Sequence, residues 1–146
     1  MSIEAHIVTP DASKAADWHK RAFDASEQSR VLLPNGRAMA VALHLCGDTF
    51  HVSSEFADWS ILSPLSVDGT ATILQLNSPD ASALWQRALA AGAEVRPPVA
   101  RQLWGRTAWS TDRSIRHRWN IAQKVPDVSA SEIEAAAAPI YSYPFS

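Results

Sequence analysis

Polar and apolar positions alternate over residues 3–8, where Ile3-Glu4-Ala5-His6-Ile7-Val8 sets Glu4, His6 and Val8 on one face. A period of two predicts a strand. Pro10 and Asp11 end it, and Asp11 is an N-cap for a helix. The period then lengthens. Ala15, Trp18 and Ala22 fall on one stripe of a helix over 13–23, with Asp17, His19 and Lys20 expected to face water. Residues 27–33 read as a second strand. Pro34-Asn35-Gly36 is a turn, since Asn-Gly reaches positive φ at little cost. In the return strand over 37–45, Ala38, Ala40 and Ala42 share one face, and Met39, Val41 and Leu43 the other. Gly47-Asp48 turns the chain into a fourth strand over 49–53. The order is β-α-β-β-β, a module over residues 1–56.

A short stretch then recurs. Pro10-Asp11-Ala12-Ser13 returns as Pro79-Asp80-Ala81-Ser82, again after an extended apolar run and before an alanine-rich run that carries tryptophan. Such a repeat predicts two copies of one supersecondary unit, neither able to bury its apolar face alone. Between them, residues 57–69 form a linker broken by Ser63-Pro64 and Asp68-Gly69. The second module, over 70–125, has a strand over 72–76, Asp80 as a cap, and a helix over 82–91 with Leu84, Trp85, Ala88 and Leu89 as its apolar side. Gly92 suits a left-handed helix end. A short strand over 94–96, stopped by Pro97-Pro98, precedes strands over 106–111 and 117–123. In the tail, 126–146, Ser129 and Glu132 form a capping-box pattern that predicts a short helix. The expected fold is α+β: two βαβββ modules in tandem within one domain over 1–146, forming a curved mixed sheet around a central cavity, with a short C-terminal helix.

Composition narrows the function. The chain has 146 residues, 47% hydrophobic and 19% charged, with a net charge of −2. That balance is ordinary for a globular protein and carries no basic footprint for nucleic acid. No apolar run approaches the roughly 20 residues that span a membrane, and no secretory signal is visible. The single cysteine, Cys46, excludes an intramolecular disulfide and suits a reducing cytoplasm. It reads as a small core residue rather than a nucleophile. Six tryptophans are many for so short a chain, and around a cavity they favour flat aromatic ligands. No nucleophile–base motif, phosphate loop or cysteine–histidine zinc spacing occurs.

The pattern resembles the vicinal oxygen chelate superfamily, which includes glyoxalase I, bleomycin-resistance proteins, fosfomycin-resistance enzymes and extradiol dioxygenases. Within it the chain is most similar to the small PhnB-type, glyoxalase-like branch. The residues that carry this are Ala15-Ala16-Asp17-Trp18-His19-Lys20-Arg21-Ala22-Phe23, Asn35-Gly36-Arg37, Gly47-Asp48-Thr49, the run 88–92, Trp104-Gly105 and His117-Arg118-Trp119. The resemblance covers roughly residues 3–135. The loop between Trp104 and His117 departs from the branch. Its Asp-Pro-Phe-Gly turn falls on Arg113-Ser114-Ile115-Arg116, and arginine in place of the turn glycine implies a different backbone there.

The resemblance implies where a metal would sit. Metal-dependent members draw ligands from the first and last strand of each module. The paired repeats put Glu4 and Ile73 on the first strands, and His51 and Asn120 on the last, with Phe50 matching Trp119. Glu4 and His51 are competent ligands for a divalent metal; Ile73 cannot ligate, and Asn120 is a neutral amide where a carboxylate would be expected. No cofactor is therefore expected, and Glu4 and His51 read as a hydrogen-bonded polar pair. His6 and His51 share the inward face with Glu4 and can anchor a ligand or act as a base tuned by the carboxylate. Trp18, Trp85 and Trp119 read as core, and His117 as structural. His44 and His19 read as solvated. Trp59 in the linker reads as a lid or a dimer contact.

The expectation is a cytoplasmic, metal-independent binding protein for an aromatic or amphipathic small molecule, such as an antibiotic sequestered for resistance, completed in a homodimer without nucleic-acid or membrane partners. Trp104 and Trp109 would stack on the ligand, while Glu4, His6, His51, Gln75 and Asn120 orient it. The alternative is an enzyme of natural-product or catabolic metabolism. It would be a metal-dependent lyase, isomerase or dioxygenase, or a metal-free isomerase or cyclase using His51 and Glu4.

Overall fold

A computed structural model describes residues 1–94, 106–110, 115–122, 129–132 and 134–135, with the backbone alone for 106–110. The elements run β1 (Ala5–Thr9), α1 (Ala12–Phe23), β2 (Ser26–Leu32), β3 (Ala38–Leu45), β4 (Asp48–Ser54), β5 (Ile73–Asn77), α2 (Ala81–Ala90), β6 (Ala93–Glu94), β7 (Arg106–Ser110) and β8 (Arg118–Ala122). They build two four-stranded mixed sheets, ordered β1-β4-β3-β2 and β5-β8-β7-β6. In each sheet the first strand pairs parallel with the last, and the remaining pairs are antiparallel. A parallel pair cannot be closed by a tight turn, so each sheet is spanned by its own helix. Between the sheets, residues Ala57–Trp59 form one 3-10 turn.

Local chemistry fixes the helix ends. The Asp11 carboxylate accepts the backbone N–H groups of Ser13 and Lys14 at 3.0 and 3.2 Å, and Asp80 accepts that of Ala83 at 2.9 Å. Each helix is then closed by the other. Trp18 donates its indole Nε1–H to the carbonyl of Ala91 at 2.9 Å. Arg87 donates Nε to the carbonyl of Arg21 at 2.7 Å and Nη2 to the Asp24 carboxylate at 3.0 Å. The last carbonyls of a helix lack intrahelical partners, so these side chains satisfy groups that would otherwise be open. The anticipated capping box closes too: Glu132 accepts the Ser129 N–H at 2.8 Å, and the chain is helical at 130–132.

One face of each sheet meets its helix. Ile7, Val41, Leu43, Phe50 and Val52 pack below α1, whose buried side carries Ala15, Trp18, His19, Ala22 and Phe23. The core is one cluster that continues through Leu76, Trp85, Trp119 and Ile121 of the second half. In β3, Val41 and Leu43 enter the core together as expected, but Ala38 of the other set joins them and Met39 is only half-buried. Ser54 is fully buried, donates to the Ala38 carbonyl at 2.7 Å and accepts the Ala12 N–H at 3.1 Å, which seats α1 over β4.

Two expectations are corrected. His19 is fully buried rather than solvated, because the buried stripe of α1 is wider than its tryptophan and two alanines imply. Its Nδ1 donates to the Ala15 carbonyl at 2.6 Å, and burial, aided by nearby His117, holds its pKa down at about 4. Cys46 is exposed, not core: it sits in the β3–β4 turn at φ +55. Arg116 itself holds a positive φ of +37, a backbone that glycine tolerates better than arginine. His117, by contrast, is structural as expected; it is buried and donates Nε2 to the Val8 carbonyl of β1 at 2.8 Å.

Candidate functional site

The ladder of the first sheet brings the candidate polar residues together. His6 of β1 is paired with His51 of β4 in parallel register. Their rings stack with centroids 4.2 Å apart and planes 12° from parallel. Glu4 precedes β1 and reaches back, its Oε2 lying 2.6 Å from His51 Nε2. On the other side of His51, across β3, stands Ala42. An alanine there leaves the imidazole edge uncrowded. The carboxylate accepts the Nε2–H, which fixes the ring orientation and leaves Nδ1 as the basic nitrogen.

The second sheet repeats the geometry with different chemistry. Gln75 of β5 pairs with Asn120 of β8, and Leu74 with Trp119, as His6 pairs with His51 and Ala5 with Phe50. Ile73 pairs with Arg118 one rung earlier, in the place that Glu4 takes before β1. Gln75 donates Nε2 to Asn77 Oδ1 at 3.0 Å. Two imidazoles and a carboxylate in one half thus answer to two amides and an isoleucine in the other. Among the described residues, no group of three His, Cys, Asp or Glu side chains is placed to hold a metal ion. This donor set does not fit a divalent metal: the carboxylate is already held by an imidazole, and the partner half offers neutral amides.

Trp109 lies on β7, its backbone opposite Arg118 and Glu94. Trp104, the Pro97-Pro98 stop, the loop 111–114 and the final segment 139–146 fall outside the described residues. Trp18, Trp85 and Trp119 are buried, while Trp59 is 71% exposed beside Phe56.

A cavity of about 630 Å³ opens between β1 and β5, each the edge strand of its sheet. The β3–β4 turn borders it through Cys46 and Asp48, and Phe50, Leu74 and Trp119 line it as well. Of the residues singled out from the sequence, Glu4 and Gln75 line this cavity; His6, His51 and Asn120 stand on the sheets beside it. Sequence reasoning missed Asp48, Phe50 and Trp119 as lining groups. The Phe50–Trp119 match across the repeat was the available signal, and the two rings do meet, 5.7 Å apart and 71° from parallel.

No family model matches the chain. Rv0887c of Mycobacterium tuberculosis, an uncharacterized protein, is 34% identical over 138 residues, covering 92% of this chain and 81% of that protein. The X-ray structure of the Arabidopsis thaliana gene product AT5G48480 superposes with a TM-score of 0.63 at 20% identity, covering 84% of this chain and 98% of the other. FosX, a genomically encoded fosfomycin resistance protein of Listeria monocytogenes solved with Mn(II) and sulfate, gives a TM-score of 0.60 at 14% identity, over 92% of this chain and 95% of the other. These structural neighbours are vicinal oxygen chelate proteins. At such identities they establish the fold and leave the chemistry to the residues.

Proposed function

The chain belongs to one family with mycobacterial Rv0887c and has the vicinal oxygen chelate fold, and from that premise we propose that it is a metal-independent binding protein for an aromatic or amphipathic small molecule. The observation that carries this reading is the Glu4–His51 hydrogen bond of 2.6 Å. It commits the two competent metal donors of the first half to each other. A cavity of about 630 Å³ beside the pair is within the range of small-molecule sites. The ligand lies between β1 and β5, against Phe50 and Trp119, with Glu4 and Gln75 fixing its orientation. His6, His51 and Asn120 support it from the sheets, and stacking on Trp104 and Trp109 adds to its affinity.

The neighbour FosX is a fosfomycin resistance protein, which favours an antibiotic or another natural product as the ligand, held here without reaction. The protein acts in a reducing cytoplasm, as a homodimer of PhnB-like type. Exposed Trp59, Val31 and Leu32 offer apolar surface for that contact. Elemental analysis of the purified protein, with tryptophan-fluorescence titrations of aromatic natural products in the presence and absence of chelator, tests the reading. Binding that survives chelator, with the compound recovered unchanged, supports it. A near-stoichiometric transition metal overturns it.

The same hydrogen bond favours one second reading. Glu4 would hold His51 as a general base that moves a proton on the ligand, a metal-free isomerase or cyclase. Turnover that survives chelator and is lost in His51→Ala would select this reading.

A further inference from the structure

We propose that the cavity between β1 and β5 selects an organic cation: an amine- or amidinium-bearing molecule with a flat apolar body. This rests on the reading of the chain as a small-molecule binder and adds the charge of what it binds. The charged side chains lining the cavity, among the described residues, are the carboxylates of Glu4 and Asp48; no lysine, arginine or histidine joins them. His51 occupies Oε2 of Glu4 from outside the lining, leaving Oε1 to the cavity side. Asp48, exposed at the start of β4, has no ion-pair partner among the described residues. Gln75 spends its amide N–H₂ on Asn77, so its carbonyl Oε1 remains as a further acceptor. Carboxylates above low-dielectric walls focus a negative potential into the space between them.

The apolar side of the same cavity suits the rest of such a molecule. Phe50 and Trp119 meet edge to face and form its apolar wall. Trp119 belongs to the core, 4% exposed, and borders the cavity as part of that wall. The ligand therefore carries its positive charge at the Glu4–Asp48 side and its flat apolar body toward Phe50 and Trp119. An anion of the same size would meet two carboxylates with no counter-charge among the described lining residues.

Full-length protein titrated with ethidium, an aromatic cation, and with 8-anilinonaphthalene-1-sulfonate, an aromatic anion, tests this by dye fluorescence at low and high salt. Ethidium is expected to bind roughly tenfold or more tightly than the sulfonate, and to weaken with salt. Asp48→Asn and Glu4→Gln, each checked for folding by circular dichroism, are each expected to weaken ethidium by about three- to tenfold and to leave the sulfonate unchanged or tighter. Sulfonate binding as tight as ethidium overturns the charge assignment and leaves the binding function standing. Ethidium binding that is unchanged in both variants overturns the site. Failure of both dyes to bind overturns the inference together with the reading on which it rests.

Discussion

Trp18 in the first helix and Ala91 at the end of the second, 73 residues apart, are joined by an indole N–H to carbonyl hydrogen bond of 2.9 Å. Trp18 is 1% exposed and Ala91 half-buried, so the bond is shielded on the indole side. Trp18→Phe keeps most of the packing and removes the donor. It is expected to cost about 1–3 kcal/mol, since it strands the Ala91 carbonyl and leaves a small void. Urea denaturation followed by circular dichroism measures this. A Trp18→Phe protein as stable as the parent would mean that the carbonyl finds another donor.

Buried His19 makes the fold sensitive to acid. Its pKa falls from 6.5 to about 4, chiefly because burial excludes the charged ring. The unfolded chain therefore binds the extra proton first. The contribution of a neutral His19 is complete above pH 6.5 and is lost as pH falls toward 4, by about 2 kcal/mol at pH 5 and about 3 kcal/mol at pH 4. Buried His117, its pKa also lowered by burial, acts in the same direction. Urea denaturation midpoints from pH 7 to pH 5 should fall in the parent and fall less in His19→Met. Parallel slopes would assign the acid sensitivity elsewhere.

Cys46 is exposed and borders the cavity. A small maleimide should label it in the folded protein. Any compound that fills the cavity should slow the labelling, and the labelled protein should bind that compound more weakly. Labelling at the same rate with the site saturated would place the compound elsewhere.

Arg116 holds φ at +37, where a side chain crowds the backbone and glycine does not. Arg116→Gly is expected to leave the fold intact and to raise stability by up to about 1 kcal/mol, a shift of several degrees in Tm. A lowered Tm would show that the arginine side chain contributes more than its backbone costs.

The fold is legible in the chain because its signals are local. Asp11 and Asp80 cap helices in both copies of the repeat, and the β3 pattern puts Val41 and Leu43 together in the core. The Glu4–His51 pair is legible as well, since a period of two and a repeat register suffice to align two strands. His19 escapes such a reading because its polar neighbours Asp17 and Lys20 hide the Ala15–His19–Phe23 spacing that buries it. Cys46 escapes it because its chemistry suggests the interior, while the turn that holds it is set by Gly47 beside it. A central cavity is expected from the paired modules, but its walls and width are not legible. Its walls come from the edges of two sheets, and no local pattern states how far apart those edges stand.

The first sheet draws every strand from residues Ala5–Ser54. During synthesis this half can close before Ile73 has left the ribosome, as domains fold in the order they emerge. It then waits with Trp18, His19 and Phe23 open on one side of α1, because Ala91, Trp119 and His117 have yet to be made. A nascent chain that closed this half first would present an aromatic surface to the cell until the second half emerged.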